Sequence, residues 1–404
     1  MSDPERAWDI SAAGELRERF ESMRNEVFGL VPVDDSDTLL HRASLSLDAR
    51  RGERIGAKVQ FISASTSGWD GPRTPIQDNS FDVLQAYAHT SFAIDGATVT
   101  LRAGRQEIAL GSSRLVSVRE GPNVRRAFDG VRATWSRGAT LIDAFAVRTV
   151  RPEHGGFDDR SSSAETFSGI YGTFGLHAPL GQLETYYLYL YRRDAAFAQG
   201  AAGESRHTVG ARLAGQYGSA DWNLEGAWQW GSFGAASIRA WTLSADVGYQ
   251  WSLIAFAPRL GLKADAISGD RDLHDGTLGT FNPLFPKLPY FSDANLVTPA
   301  NLLDLQPSLR LQLAPDVTLS TSWNVLWKFA REDAFYAPPL AAVPGTAASR
   351  SRHIGQQTSI SLEWHASDAL TIAGTYVHFE PGAAARAPGG VDGHFFGGWV
   401  QFRF

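Results

Sequence analysis

Of the 37 basic residues in this chain, only Lys58, Lys263, Lys287 and Lys328 are lysines, so arginine supplies the rest. A guanidinium is a planar fork that grips a carboxylate through two parallel hydrogen bonds, which an ammonium does not do. The bias therefore points toward solutes that carry carboxylates, although a GC-rich genome produces the same bias. Basic and acidic residues number 37 and 43, a net charge of −6 that is too balanced to imply a nucleic-acid partner. Two catalytic groupings can be assembled on paper, His89 with Ser91, and His154 with Asp158 and Asp159. No Gly-x-Ser-x-Gly elbow, His-Glu-x-x-His helix or phosphate-binding glycine loop accompanies them, so an enzyme is not expected. Asp270, Asp272, Asp275 and Gly276 resemble the start of a calcium loop, but the third carboxylate falls one position late. No cofactor is expected, and Ca²⁺ is the ion those three carboxylates would suggest. The chain has no cysteine, which removes disulfides and thiolate metal sites.

The elements that must position these side chains are strands. Nothing approaches the roughly 20 consecutive apolar residues of a helical membrane span, and mean hydropathy is −0.19. Apolar and polar residues instead alternate, which predicts about eighteen strands, as in a closed barrel. The clearest runs from Val317 to Lys328, with Val317, Leu319, Thr321, Trp323, Val325 and Trp327 on one side and Thr318, Ser320, Ser322, Asn324 and Lys328 on the other. Tight turns fall at 51–54, 95–96, 137–138, 178–181, 218–221, 314–316 and 367–368. Long polar stretches fall between them, at 65–80, 106–128, 151–165, 193–205, 268–301, 329–352 and 381–393. Short turns at one rim and long loops at the other are the rhythm of an outer-membrane up-and-down barrel. The expectation is one all-β transmembrane barrel over residues 1–404, with both termini in the periplasm.

Tryptophans such as Trp228, Trp251, Trp323 and Trp364 lie toward the ends of the apolar faces, as interfacial girdles require. The chain ends on a strand whose last residue is Phe404, with Phe396, Val400 and Phe402 on the same face. The polar faces carry Arg42, Arg50, Lys58, Arg102, Arg132, Arg212, Arg259, Lys263, Arg310, Lys328 and Arg403 against Asp48, Glu225, Asp246, Asp265, Asp304 and Glu363. The first strand is set aside, because Glu15, Arg17, Arg19 and Glu21 cancel. An inner face that leans positive in a negatively charged chain predicts an anion-preferring channel, unless these arginines simply pair across the barrel. Two strands resist assignment: Glu184 to Arg192 is apolar on both faces, and Asp143 and Arg148 lie on opposite faces of another.

The stretch from Gly104-Arg105-Gln106-Glu107 through Arg114, Arg119-Glu120-Gly121-Pro122-Asn123 and Arg125-Arg126 to Asp129-Gly130 resembles the signature of the alginate export family of outer-membrane barrels. Ser268-Gly269-Asp270-Arg271-Asp272, continuing through Gly279 to Pro286 and on to Asn301-Leu302, is a second match. The opening Glu15 to Glu21 and Phe28-Gly29-Leu30 also fit, so the resemblance spans the chain. It implies an eighteen-stranded monomer passing an anionic, alginate-like polysaccharide through an arginine-lined constriction. Carried over by position, Arg105, Arg114, Arg119, Arg125, Arg126 and Arg132 would contact the polymer, with Glu107, Glu120 and Asp129 holding them. An anion-preferring porin for small organic acids or sugars is the alternative, and a bracing role for the whole segment is the bland one. The implied partners are outer-membrane lipid, the anionic solute and, through Phe404, the barrel-assembly machinery. A bacterial outer-membrane location is expected even though Met1 to Arg6 offers no secretory signal core, which implies a leader removed or a start misplaced.

Overall fold

The computed structural model describes residues 8–32, 35–68 and 74–404. Met1 to Ala7, where a signal core was sought, lie outside the described residues, as do 33–34 and 69–73 of two loops. Eighteen long strands form the wall. They are β1 (Trp8–Arg24), β2 (Ser36–Arg51), β3 (Ile55–Ser67), β4 (Asn79–Ile94), β5 (Ala97–Gln106), β6 (Phe128–Arg137), β7 (Thr140–Arg151), β8 (Arg160–Gly175) and β9 (Gln182–Phe197). The second half holds β10 (Gly200–Tyr217), β11 (Ala220–Phe233), β12 (Ala236–Gln250), β13 (Arg259–Ile267), β14 (Leu302–Ala314), β15 (Val317–Lys328), β16 (His353–His365), β17 (Leu370–Pro381) and β18 (Gly393–Arg403). Each pairs antiparallel with the next, and β1 pairs with β18 in the register Glu15↔Arg403 and Arg17↔Gln401. The sheet therefore closes on itself. Closure removes the unpaired edges that lipid would not tolerate.

Chain ends and short turns share one rim, where the Phe404 amide donates to the Gly14 carbonyl at 3.1 Å. The other rim carries the long loops, with one correction to the sequence reading. Residues 193–205 are not a loop: β9 and β10 run on to a two-residue turn at 198–199. That hairpin buries Ala195 and Phe197 inward, and Phe197 meets Phe233 at 5.4 Å. Its other face carries Asp194, Ala196, Ala201 and Gly203, with no large apolar side chain, so the alternation that betrays a lipid-facing strand is missing there.

The faces follow the alternation. Leu243, Val131, Ile170, Trp323, Ile360 and Val400 point out and are all exposed, forming the apolar surface a bilayer covers. The two ambiguous strands now resolve. Tyr187 and Tyr191 of β9 face outward, while Tyr186, Leu188 and Leu190 are buried inward. Asp143 of β7 points in, accepting from Arg132 Nε and Nη2 at 2.8 Å each, and Arg148 points out. β9 is apolar on both faces because its inner side packs against loops, not water. The hydrophobic core thus lies inside the barrel, where Ile108, Leu115, Val116, Phe281 and Phe285 of two loops meet Phe145, Phe167, Tyr171 and Leu188 of the wall.

Candidate functional site

Loop 107–127 leaves the wall after β5 and crosses the interior to β1 and β2. An apolar first half anchors it, with Ile108 and Val116 fully buried. Phe285 wedges between Phe128 (5.3 Å) and Phe167 (4.9 Å), both at edge-to-face angles. The loop pairs edgewise with loop 268–301: Ser117 N–H donates to Phe285 O at 2.9 Å, Phe285 N–H to Leu115 O at 2.8 Å, and Gly121 N–H to Leu288 O at 2.9 Å. The two stretches that carry the family resemblance are therefore one bonded unit inside the barrel. At Gly121 a side chain would meet the Leu288 carbonyl at 2.7 Å, so this close approach requires glycine.

The tip is a tight turn. Arg119 adopts φ 59° in the left-handed region, and its N–H donates to Ser117 Oγ at 2.9 Å. Asn123, fully buried, donates to the carbonyls of His41 (2.9 Å), Ser65 (3.2 Å) and Gln77 (3.1 Å). Between these clamps, Glu120 turns its carboxylate toward the wall. Arg42 of β2 hydrogen-bonds it, Arg125 Nε lies 3.4 Å away and Arg17 of β1 lies 3.8 Å away. Arg17 also donates to the Glu120 carbonyl at 3.1 Å. Arg42 holds Glu15 through Nε (2.9 Å) and Nη2 (2.6 Å), and Arg125 holds Glu107 at 2.7 Å. The Glu120 side chain is 48% exposed, whereas those of Arg17 and Arg42 are 4% and 1% exposed.

The nine residues carried over from the resemblance separate into groups. Arg125, Glu107 and Glu120 meet in this cluster. Arg114 reaches the opposite wall, bonding Glu225 at 3.2 Å and Asn223 at 3.1 Å. Arg119 and Arg126 lie behind the tip. Burial draws Arg119 down to about 10. Burial and then its neighbour Arg119 draw Arg126, stacked 5.0 Å from the Phe285 ring centre, down to about 9. Arg132 faces inward but is spent on Asp143.

Arg105 and Asp129 depart from expectation. They share the wall face of exposed Leu101 and Val131, opposite Gln106 and Phe128, so they point away from the interior. Their two bonds, 2.9 and 3.1 Å, form an ion pair beneath loop 152–159, whose Asp159 carbonyl also accepts from Arg105 at 3.2 Å. That loop bridges the notch left where 107–127 turns inward, with Phe157 N–H on Phe81 O at 3.0 Å. Resemblance by position carried the residue type but not the pleat, and one residue of offset reverses the face.

Asp270, Asp272 and Asp275 do not converge. Each accepts a backbone N–H two residues on, from Asp272 (3.1 Å), His274 (3.0 Å) and Thr277 (2.6 Å). Among the described residues the only grouping with oxygens near enough for one ion is Asp82, Asp158 and Asp159. Asp82 there is already engaged by the N–H groups of Asp158 (2.9 Å) and Asp159 (3.1 Å).

Of the inward cations expected from alternation, several are paired: Lys58 with Asp48 (3.3 Å), Arg212 with Glu184 (2.8 Å) and Arg259 with Asp221 (2.5 Å). Lys328 is withdrawn altogether, its ammonium donating to the carbonyls of Arg331 (2.5 Å), Thr346 (2.8 Å) and Ser349 (3.0 Å). Sequence reasoning passed over Arg17 and Arg19 because the charges of β1 cancel in sum. Yet Leu16 and Phe20 face out, so Arg17 and Arg19 face in, and the signal was the alternation itself. The pairing of Arg192 and buried Arg206 through buried Glu204 was missed because Glu204 falls in 193–205, which read as loop; both arginines contact it at 2.5 Å.

The sequence profile described as alginate export matches residues 9–398. Among curated proteins, none matches the chain. Solved structures with the same fold include Pseudomonas aeruginosa OccK3 (OpdO), 12% identical, covering 98% of this chain and 96% of that one with a TM-score of 0.65. OccK8 (OprE) of the same organism is 13% identical, covers 98% of both chains and has a TM-score of 0.65. OccK2 (OpdF), also of Pseudomonas aeruginosa and solved in complex with glucuronate, is 13% identical, covers 98% of both and has a TM-score of 0.62.

Proposed function

Because the chain belongs to the alginate export family of outer-membrane proteins, we propose that its barrel is a channel for an anionic, alginate-like polysaccharide. The constriction on this reading lies between the tip of loop 107–127 and the inner face of β1 and β2, and the chain ends face the periplasm. One observation carries the proposal: Arg17, Arg42 and Arg125 converge on a single half-exposed carboxylate inside the barrel. A uronate polymer offers one carboxylate per sugar. Guanidinium forks suit such a ligand, and repeated weak grips allow it to leave as well as enter. No catalytic step is needed.

Planar-bilayer recording tests this. Under a salt gradient the reversal potential is expected to show anion preference, and oligouronates are expected to block the open channel more strongly than monomeric glucuronate. Cation selectivity would overturn the proposal. Block by monomer and oligomer alike would favour the second reading, a porin for small organic acids. That reading draws on the shared fold of OccK2, itself solved with glucuronate.

A further inference from the structure

The cluster at the loop tip holds more donor capacity than its carboxylates use. Arg17 Nε, Arg42 Nη1 and Arg125 Nε are buried and have no hydrogen-bond acceptor among the described residues. Arg17 and Arg42 are themselves almost wholly buried, with Arg42 fixed by the two bonds to Glu15. Glu15 is in turn held by Gln401 at 2.7 Å and Arg403 at 3.2 Å. Those anchors belong to the wall and do not move with the loop. Glu120 differs from Glu15 in each respect: it sits on a loop tip, is half open to water, and makes one good hydrogen bond with two longer charge contacts.

We propose that Arg17, Arg42 and Arg125 form a carboxylate subsite whose resident occupant is the protein's own Glu120, and that the carboxylate of an incoming uronate displaces it. The inference rests on the channel reading above and adds an internal competitor to it. A tethered carboxylate acts at an effective concentration in the millimolar range or above. A single uronate at similar concentration therefore competes poorly, whereas a polymer delivers a second carboxylate to the neighbouring arginines as the first one binds. Glu120 would thus set the threshold between monomer and polymer, and would refill the cradle when the channel empties. Refilling restores the carboxylate nearest to Arg17, which otherwise faces Arg42 and Arg125 with only their partners Glu15 and Glu107 to offset them.

The test uses the full-length barrel in planar bilayers, with sodium glucuronate as probe. Glu120→Gln keeps the size of the side chain and removes its charge, and is expected to tighten glucuronate block about tenfold while raising anion preference. Glu120→Ala serves as a second variant, and retained heat-modifiable electrophoretic mobility confirms that each barrel is folded. Arg17→Gln placed on Glu120→Gln is expected to return block to the unmodified level or below it. Suppose the unmodified channel prefers anions, yet both Glu120 variants leave block unchanged or weaken it. Glu120 is then a brace, and the competitor proposal fails while the channel reading stands. If the unmodified channel prefers cations and glucuronate affects no variant, both fail together.

Discussion

Two stretches of the inner wall leave polar atoms unmatched, and they leave opposite kinds. Around Glu120 the unmatched atoms are mostly guanidinium donors, three of them against one acceptor, Glu107 Oε1. On β13 and β14 they are acceptors: Asp265 and Asp304 stand directly opposite each other in register, both buried, and all four carboxylate oxygens lack a donor among the described residues. Lys263 lies 3.8 Å from Asp265, but its ammonium donates to the Tyr290 carbonyl at 3.0 Å and sits over the Tyr290 and Phe291 rings. Other charges of the wall are paired, as at Arg132–Asp143 and Arg259–Asp221, while Arg102 stacks over the Tyr87 ring with its Nε lacking an acceptor among the described residues. On the channel reading proposed above, a surplus of donors on one stretch and of acceptors on the other would favour anions along the donor-rich side.

The comparison breaks most easily at Arg42. Arg42→Ala leaves Glu15 buried without its main counter-charge and is expected to cost about 3–5 kcal/mol, the usual penalty for halving a buried ion pair. Urea unfolding in detergent micelles measures it. Reversal potential in the same variant should move toward cations. Unchanged selectivity would show that the donor-rich stretch lies off the conduction path.

Loop 268–301 touches both stretches, holding the tip of 107–127 through the Leu288 carbonyl and Lys263 through the Tyr290 carbonyl. Phe285→Ala removes the ring packed against Phe128 and Phe167 and is expected to destabilise this unit by about 3 kcal/mol, the low end for a buried phenylalanine. Hydrogen exchange should then speed up at Ser117 and Gly121 together. Exchange rising at only one of them would mean that the two loops are not one unit.

Asp304→Asn sharpens the comparison from the acceptor side. It replaces one of two directly opposed, buried carboxyls with an amide whose N–H can donate to the other, so a gain of up to about 1 kcal/mol is expected. Anion preference should rise as the surplus of acceptors falls. A loss of anion preference would assign the Asp265–Asp304 pair to packing and not to the field.

Much of this was legible from alternation. Val317 to Lys328 and the last strand ending at Phe404 show their faces because lipid demands an apolar outer row. Legibility failed where lipid or water was not the neighbour. β9 reads as apolar on both faces because loop 107–127 packs against Tyr186, Leu188 and Leu190. The hairpin through 198–199 reads as loop because its outer face has small residues, Ala196, Ala201 and Gly203, in place of large apolar ones. Charge sums also mislead: Arg17 and Arg19 cancel Glu15 and Glu21 in number, yet Arg17 sits with Arg42 on a loop carboxylate that no strand pattern announces. Arg105 shows the converse, a residue of the right type whose pleat turns it outward.

The most local expected effect concerns the loops of the long rim, which neither stretch controls directly. Asp270 is buried beside Asp333, which accepts from the Asp270 N–H (2.9 Å), Thr280 Oγ1 (2.6 Å) and Tyr336 OH (2.8 Å). Asp333 is thereby saturated, while Asp270 Oδ2 has no donor among the described residues. Burial, with Asp333 adding to it, raises Asp270 to about 6. The folded loop thus keeps this proton up to about pH 6, whereas an unfolded loop releases it near the ordinary aspartate value of about 4. Its stabilising contribution is complete below that ordinary value and is lost as pH rises through 6. Amide exchange at 270–281, corrected for its intrinsic pH dependence, should therefore be slower at pH 5 than at pH 7.5, by up to roughly tenfold for this partial shift. Asp270→Asn should abolish the difference. If that variant keeps it, another group governs the pH response of this rim loop.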